Sequence, residues 1–330
     1  MPSAWHRIRL LRSNKSNSLC CFRKPIDDVP YIPTINETLN RDYATLEIEY
    51  EELVVKVPPT VEAGETCVFS TEAFDNMANK KKNRYENIPC WDHTRVILPM
   101  SGPAGCTDSD YIHANYVNGP GWKNKFIATQ APMPNTIIDF LNMIWQNRCP
   151  IIVVLTDICE DKESNMYSYW STTKGVRKIG KYTVMTTDIK QKKNYTKYSL
   201  EVENAMVMKE RRSISLFHYT DWEIHGIPKY IKGFLKLISN VNEDRLKNLE
   251  EPSDISSPIV VHCNAGVSRT GTYCVIDICL DDFSIFGEIN VLDTVRSVRA
   301  QRHSSVFSAN QYAFIFETLK EAVKKKNIYY

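Results

Sequence analysis

An apolar run that ends in a cysteine, with small residues and then an arginine behind it, sets the tightest limit on what this chain can become. The segment is "PIVVHCNAGVSRTG", residues 258–271. A short uninterrupted apolar run bounded by a proline and a loop reads as a buried strand, here ending at Cys263. "TGTYCVIDICLDDF" (270–283) reads as a helix that is apolar on one side. Between them Asn264, Ala265, Gly266, Val267 and Ser268 form a loop able to curl. Such a loop turns successive backbone N–H groups inward, and the helix behind it adds its positive end, which makes an anion site the size of a phosphate. Arg269 adds a planar fork for two phosphate oxygens. The same N–H groups favour the thiolate form of Cys263, and a thiolate on the floor of a phosphate cradle is a nucleophile aimed at phosphorus. Thr270 can hydrogen-bond the sulfur, and His262 can hold the loop by bonding backbone. The plainer alternative is a buried structural cysteine beside a surface arginine.

The rest of the chain supplies a sheet and helices for that segment to sit in. "DYIHANYV" (110–117), "KFIATQAP" (125–132) and "PIIVVLTD" (150–157) read as strands. "NTIIDFLNMIWQN" (135–147) reads as a helix capped by its Asn, burying Ile137, Leu141, Ile144 and Trp145 at helical spacing. Alternation over 181–220 predicts antiparallel strands. One helix is expected over 35–53, a polar helix running into a loop over 74–89, and two closing helices around 292–302 and 309–326. The fold class is α/β (α+β): one domain with a mixed twisted sheet flanked by helices.

Composition narrows the function. The 330 residues are 43% apolar and 24% charged, ample for a sizeable core. A net charge of +2 carries no nucleic-acid bias. No pair among the ten cysteines has zinc-ligand spacing, so neither a metal nor another cofactor is expected, and reduced thiols in a cytoplasmic compartment are. The domain is expected over 30–326, with a basic flexible leader over 1–29 and a short tail over 327–330. Over residues 1–24 the leader carries Arg7, Arg9, Arg12, Lys15, Arg23 and Lys24 without a matching acid. Lipidation of Cys20 and Cys21, with membrane contact, is its alternative reading. A monomer is expected.

"HCNAGVSRTG" resembles the "HCSAGxGRTG" signature of the tyrosine-specific cysteine phosphatases, in their single-domain non-receptor form. "KNRYENI" (82–88), "DHTRVIL", "DYIHANYV", "FIATQAPMPNTIIDFLNMIW" and "FHYTDW" match blocks of that family in order, from about Asn40 to Lys320. The resemblance implies that Tyr85 walls the substrate ring, with Asn87 in the same recognition loop, and that phosphotyrosine proteins are the partners. It implies that Glu160 pairs with Arg269. It also implies that "WEIHG" from Trp222 is the loop that closes over bound substrate. The chain further resembles the phosphatase-like proteins of bracoviruses of parasitoid wasps, which implies delivery into a host-cell cytoplasm and interference with signalling there.

The same resemblance exposes what is missing. Where the family closes "WPDHG", Glu223 stands for the proline and Ile224 for the aspartate that protonates the leaving phenol. Where a glutamine orients the hydrolytic water, the chain has Phe307, while Gln311 is kept. Asn264 and Ser268 replace a serine and a glycine, and Asn165 a loop lysine. General acid–base catalysis contributes about 10²–10⁴-fold. The expectation is therefore a protein that binds phosphotyrosine proteins but is catalytically impaired. The alternatives are an active phosphatase using Glu223, or Asp221, as acid, and a non-enzymatic scaffold. Adjacent side chains of an extended loop point opposite ways, so Glu223 is expected to face away from the cleft.

Overall fold

A computed structural model describes residues 32–55, 69–99, 109–156, 168–207, 210–223, 226–247 and 257–324. The leader with Cys20 and Cys21, Glu160, Asn165, Ile224 and the tail lie outside them.

Nine strands form one mixed sheet: β1 (Arg95–Ile97), β2 (Tyr111–Gly119), β3 (Trp122–Gln130), β4 (Ile151–Val154), β5 (Gly175–Ile179), β6 (Tyr182–Gln191), β7 (Tyr195–Asn204), β8 (Arg211–Tyr219) and β9 (Ile259–Cys263). Their order is β1-β2-β3-β9-β4-β8-β7-β6-β5. The centre, β3-β9-β4-β8, is parallel and the flanks are antiparallel. Parallel strands are covered on both faces and read as continuous apolar runs, as "IIVV" in β4 and "IVVHC" in β9 do, buried throughout. On β7 buried and part-exposed residues largely alternate, as half-solvated strands do.

Helices α1 (Ile32–Leu39), α2 (Tyr43–Val55), α3 (Glu72–Asp75), α4 (Ile137–Gln146), α5 (Ile231–Lys247), α6 (Ser268–Phe286), α7 (Val291–Gln301) and α8 (Ala309–Lys324) complete the domain. One face of the sheet shares a core with α1, α2 and α5–α8, and the other packs against α4. No helix among the described residues is long and apolar enough to cross a membrane.

Several sequence expectations are corrected. The helix expected over 35–53 is two, parted where Asp42 turns back to accept from the backbone N and hydroxyl of Thr45. The polar helix expected over 74–89 shrinks to α3 and a single turn at Lys80–Lys82. Thr136, not Asn135, precedes α4, without a capping side-chain hydrogen bond, and the Asn135 amide donates to the Lys81 carbonyl instead. Strands β1 and β5 and helix α5 were not expected. Helix α6 is buried on every side over most of its length rather than on one. Its acids Asp277 and Asp281 are enclosed with Lys125 of β3, which bonds both, at 2.9 Å to Asp281, while Asn242 donates to Asp277 at 2.6 Å. Removing one partner of a buried charge group costs about 3–5 kcal/mol. Lys125→Met is therefore predicted to lower the unfolding free energy by about that amount, measured by urea titration.

Candidate functional site

Strand β9 is held between β3 and β4, and this register carries Cys263 to the C-terminal end of the central strands, opposite Gln130. Cys263 is buried, and its sulfur accepts from the Gly266 N–H and from the Thr270 hydroxyl, both at 3.3 Å. Gly266 takes φ +71°, and a Cβ there would stand 2.1 Å from the Thr129 carbonyl oxygen. Only glycine meets both demands. The loop then runs into α6, which puts the helix N-terminus behind it. The chain predicts this local shape: an apolar strand forces the cysteine inward, and Gly266 permits the reversal.

A loop whose N–H groups face inward turns carbonyls outward, and those need donors of their own. Arg302 supplies them. Fully buried, it donates to Gly266 O and Ala265 O at 3.1 Å each, to Asn115 Oδ1 at 2.8 Å, and meets His113 Nδ1 at 2.9 Å. Further supports are Thr156, which donates to Asn264 Oδ1 at 2.9 Å, and the Val267 carbonyl, which accepts from the N–H of Gly271 and of Val306. Arg269 is buried at the first turn of α6 and gives Nη1 to the Leu155 carbonyl at 2.7 Å. Its fork is thereby oriented from beneath.

His262 lies in the core and its Nε2 meets the Tyr169 hydroxyl at 2.9 Å, a side-chain partner the sequence reading did not name. Burial pushes its pKa down to about 3, and the nearby His218 adds to the shift. Burial and Arg302 push His113 down to about 3 as well. Burial also pushes the core thiols Cys149, Cys274 and Cys279 up, the last to about 12.

Tyr85 and Asn87 are exposed on the loop after the Lys80–Lys82 turn. Gln130 ties this loop to the cysteine: its Oε1 accepts from Arg84 N at 3.0 Å and its Nε2 donates to Lys82 O at 2.8 Å. The Arg84 guanidinium donates to Ala131 O, and Ala131 N donates to Asn264 O. The backbone of the Tyr85 loop and the loop after Cys263 are thus joined through Gln130 and Ala131.

The loop from Trp222 to Gly226 is described at both ends. Trp222 is buried against Phe234 and Phe314 and donates to Gly226 O at 2.9 Å. Glu223 is 69% exposed and pairs with Lys229 at 2.5 Å. Asp221 accepts from the Asn194 amide at 3.1 Å. Phe307 is 54% exposed, and Gln311 is buried beneath it. Gln311 donates to Ser268 Oγ at 2.5 Å and accepts from the Phe307 N–H at 3.1 Å, so both ends of its amide are engaged. Sequence reasoning missed Arg302, Gln130 and Thr156. No pattern marks a buried arginine, since charged residues are ordinarily exposed.

A family model for protein-tyrosine phosphatase matches residues 79–321. Tyrosine phosphatase H3 of Microplitis demolitor bracovirus is 35% identical over 76% of this chain and 84% of its own length. Tyrosine phosphatase H2 of the same virus is 33% identical over 83% of this chain and 85% of its own. The human tyrosine-protein phosphatase non-receptor type 9 is 34% identical over 76% of this chain, but only 43% of its own length is covered.

Two predictions follow from this geometry. Gly266→Ala is predicted to lose at least about 2 kcal/mol of stability, from strain plus the clash with Thr129, read as a lower urea midpoint. The second concerns pH. His113 and His262 bind protons more readily when unfolded, so their contribution to stability is whole above pH ~6.5 and falls as pH drops toward 3. Each adds a slope approaching about 1.4 kcal/mol per pH unit. Unfolding free energies measured at pH 7, 6 and 5 are predicted to fall with pH, and His113→Gln to flatten that fall.

Proposed function

The chain belongs to the protein-tyrosine phosphatase family, and from that premise we propose that it captures phosphotyrosine proteins while turning them over poorly. The observation that carries this reading is a cradle fully braced for phosphate beside a closing loop whose two described carboxylates are bound elsewhere, Glu223 to Lys229 and Asp221 to Asn194.

The chemistry needs two proton transfers. In the first step Cys263 sulfur attacks phosphorus, an S–P bond forms, and the P–O bond to the tyrosine ring breaks. The phenol oxygen leaves with the bonding pair and needs a proton. In the second step water attacks the cysteinyl phosphate, gives up a proton, and the S–P bond breaks. Ile224 stands in sequence where the family's aspartate serves both transfers, and it can hold no proton. Phe307 stands where a glutamine orients the water, and Gln311 is occupied by Ser268. Losing one acid–base group costs about 3–5 kcal/mol of barrier. Binding loses nothing comparable: Arg269, the loop N–H groups and Tyr85 remain.

In this reading the protein acts as a trap. It shields phosphotyrosines from active enzymes and from adaptors, and so interferes with signalling. It works as a monomer in the cytoplasm, where its described free thiols, all buried, stay reduced.

Ile224→Asp tests the proposal. The variant is predicted to hydrolyse a phosphotyrosine peptide about 10–10³-fold faster than the parent, with p-nitrophenyl phosphate, whose leaving group needs little protonation, changed far less. Fast peptide turnover by the parent chain, unaltered by Ile224→Asp, sinks the proposal. Phe307→Gln in the same background separates a remaining limit on the second step.

A further inference from the structure

The hairpin between β6 and β7 and the first turns of α5 enclose an open cleft of about 440 Å³, lined by Lys192, Lys193, Asn194, Tyr195, Gly233, Lys236 and Asn240. It belongs to different elements from the cradle at Cys263. We propose that this cleft is a second anion site, built for a compact ligand carrying clustered phosphates, of the inositol polyphosphate class.

Charge pairing is the first support. The lysines around the cleft are each matched by an acid: Lys190 with Asp188 at 3.6 Å, Lys197 with Asp244 at 2.5 Å, Lys229 with Glu223 at 2.5 Å and Lys232 with Glu321 at 3.9 Å. Lys192, Lys193 and Lys236, which line it, have no ion-pair partner among the described residues. Three lysines without an acidic partner around one concave space raise its positive potential and attract polyanions.

The second support is that the site is built rather than incidental. Its floor is fixed by a hydrogen bond from the Asn240 amide to the hydroxyl of Tyr195, which fastens the hairpin to α5. The hairpin turn is closed by Lys192 N donating to Tyr195 O at 2.9 Å. Lys193 is steadied over the Tyr230 ring, 5.6 Å from its centroid. Gly233 leaves room for Asn194, since a Cβ there would lie 2.4 Å from Asn194 Oδ1. Lysines on two separate elements reach a ligand from two sides. A volume of about 440 Å³ exceeds what a single phosphate fills, so the match is to several phosphates on one small ring. Lysine acts toward phosphate as a point charge rather than a fork, which suits a crowded polyphosphate and does not select one phosphotyrosine. The ligand can be a soluble inositol polyphosphate or the headgroup of a phosphoinositide in a bilayer.

The test uses the full chain and three proteins: the parent, Lys192→Glu/Lys193→Glu/Lys236→Glu, and a charge-matched control, Lys123→Glu/Lys174→Glu/Lys178→Glu, whose lysines are exposed elsewhere. Calorimetric titration with inositol hexakisphosphate is predicted to show binding that the cleft variant weakens at least about tenfold, the scale of three solvent-facing charge contacts, while the control keeps it. Sedimentation with phosphatidylcholine vesicles, with and without phosphatidylinositol 4,5-bisphosphate, assigns the source: capture by the doped vesicles and release by the soluble compound points to the lipid headgroup, and calorimetric binding without capture to a soluble ligand. No binding by the parent, retained binding in the cleft variant, or equal weakening in both variants overturns the proposal. Circular dichroism of the variants separates loss of the site from loss of the fold.

Discussion

Everything around Cys263 depends on what happens to the outward side of its loop. A loop that turns N–H groups inward leaves carbonyls behind it to be satisfied, and in this molecule one guanidinium takes two of them, those of Ala265 and Gly266. Arg302 is fully buried and reaches two loop carbonyls, Asn115 and His113 at once. Burial lowers its pKa, and the environment still holds it through several acceptors. Gly266 completes the device by letting the backbone pass against Thr129 where any Cβ would collide. The loop is therefore shaped before ligand arrives, and binding energy is not consumed in ordering it.

In the proposed trap, that preorganisation separates two tasks, holding phosphate and moving protons. Holding a phosphoryl group calls on β9, α6, Arg302 and the Gln130 link to the Tyr85 loop. Moving protons calls on the closing loop and the segment around Phe307. The first set is knit into the core by buried hydrogen bonds, while Glu223 and Phe307 lie in solvent. Substitutions in the second set can alter chemistry with little effect on folding, because surface changes rarely cost more than about 0.5 kcal/mol.

What the sequence revealed follows the same divide. The central strands were legible because a parallel sheet demands unbroken apolar runs, and β4 and β9 have them. The cradle was legible because its shape is local, set by Cys263, Gly266 and the helix behind. Helix α5 carries an apolar stripe at Phe234, Leu235, Ile238 and Val241, diluted by the polar residues between them. The enclosure of α6 was not legible: Asp277 and Asp281 look like a solvent face until Lys125, some 150 positions earlier, is brought against them. Arg302 was hidden for the same reason, since its acceptors come from three distant segments, the loop at 265–266, β2 and Cys90. Charges neutralised by remote partners are where periodicity misleads.

The claim that proton delivery is cut while phosphate capture survives is tested most directly by the dependence of single-turnover phosphoryl transfer to Cys263 on the leaving group. Across a series of aryl phosphates from nitrophenol to tyrosine peptide, the account predicts a steep decline in rate as the leaving phenol becomes more basic, at nearly constant binding affinity. A rate that stays level across the series, with tyrosine leaving as readily as nitrophenol, would mean that some group still delivers the proton, and would contradict it.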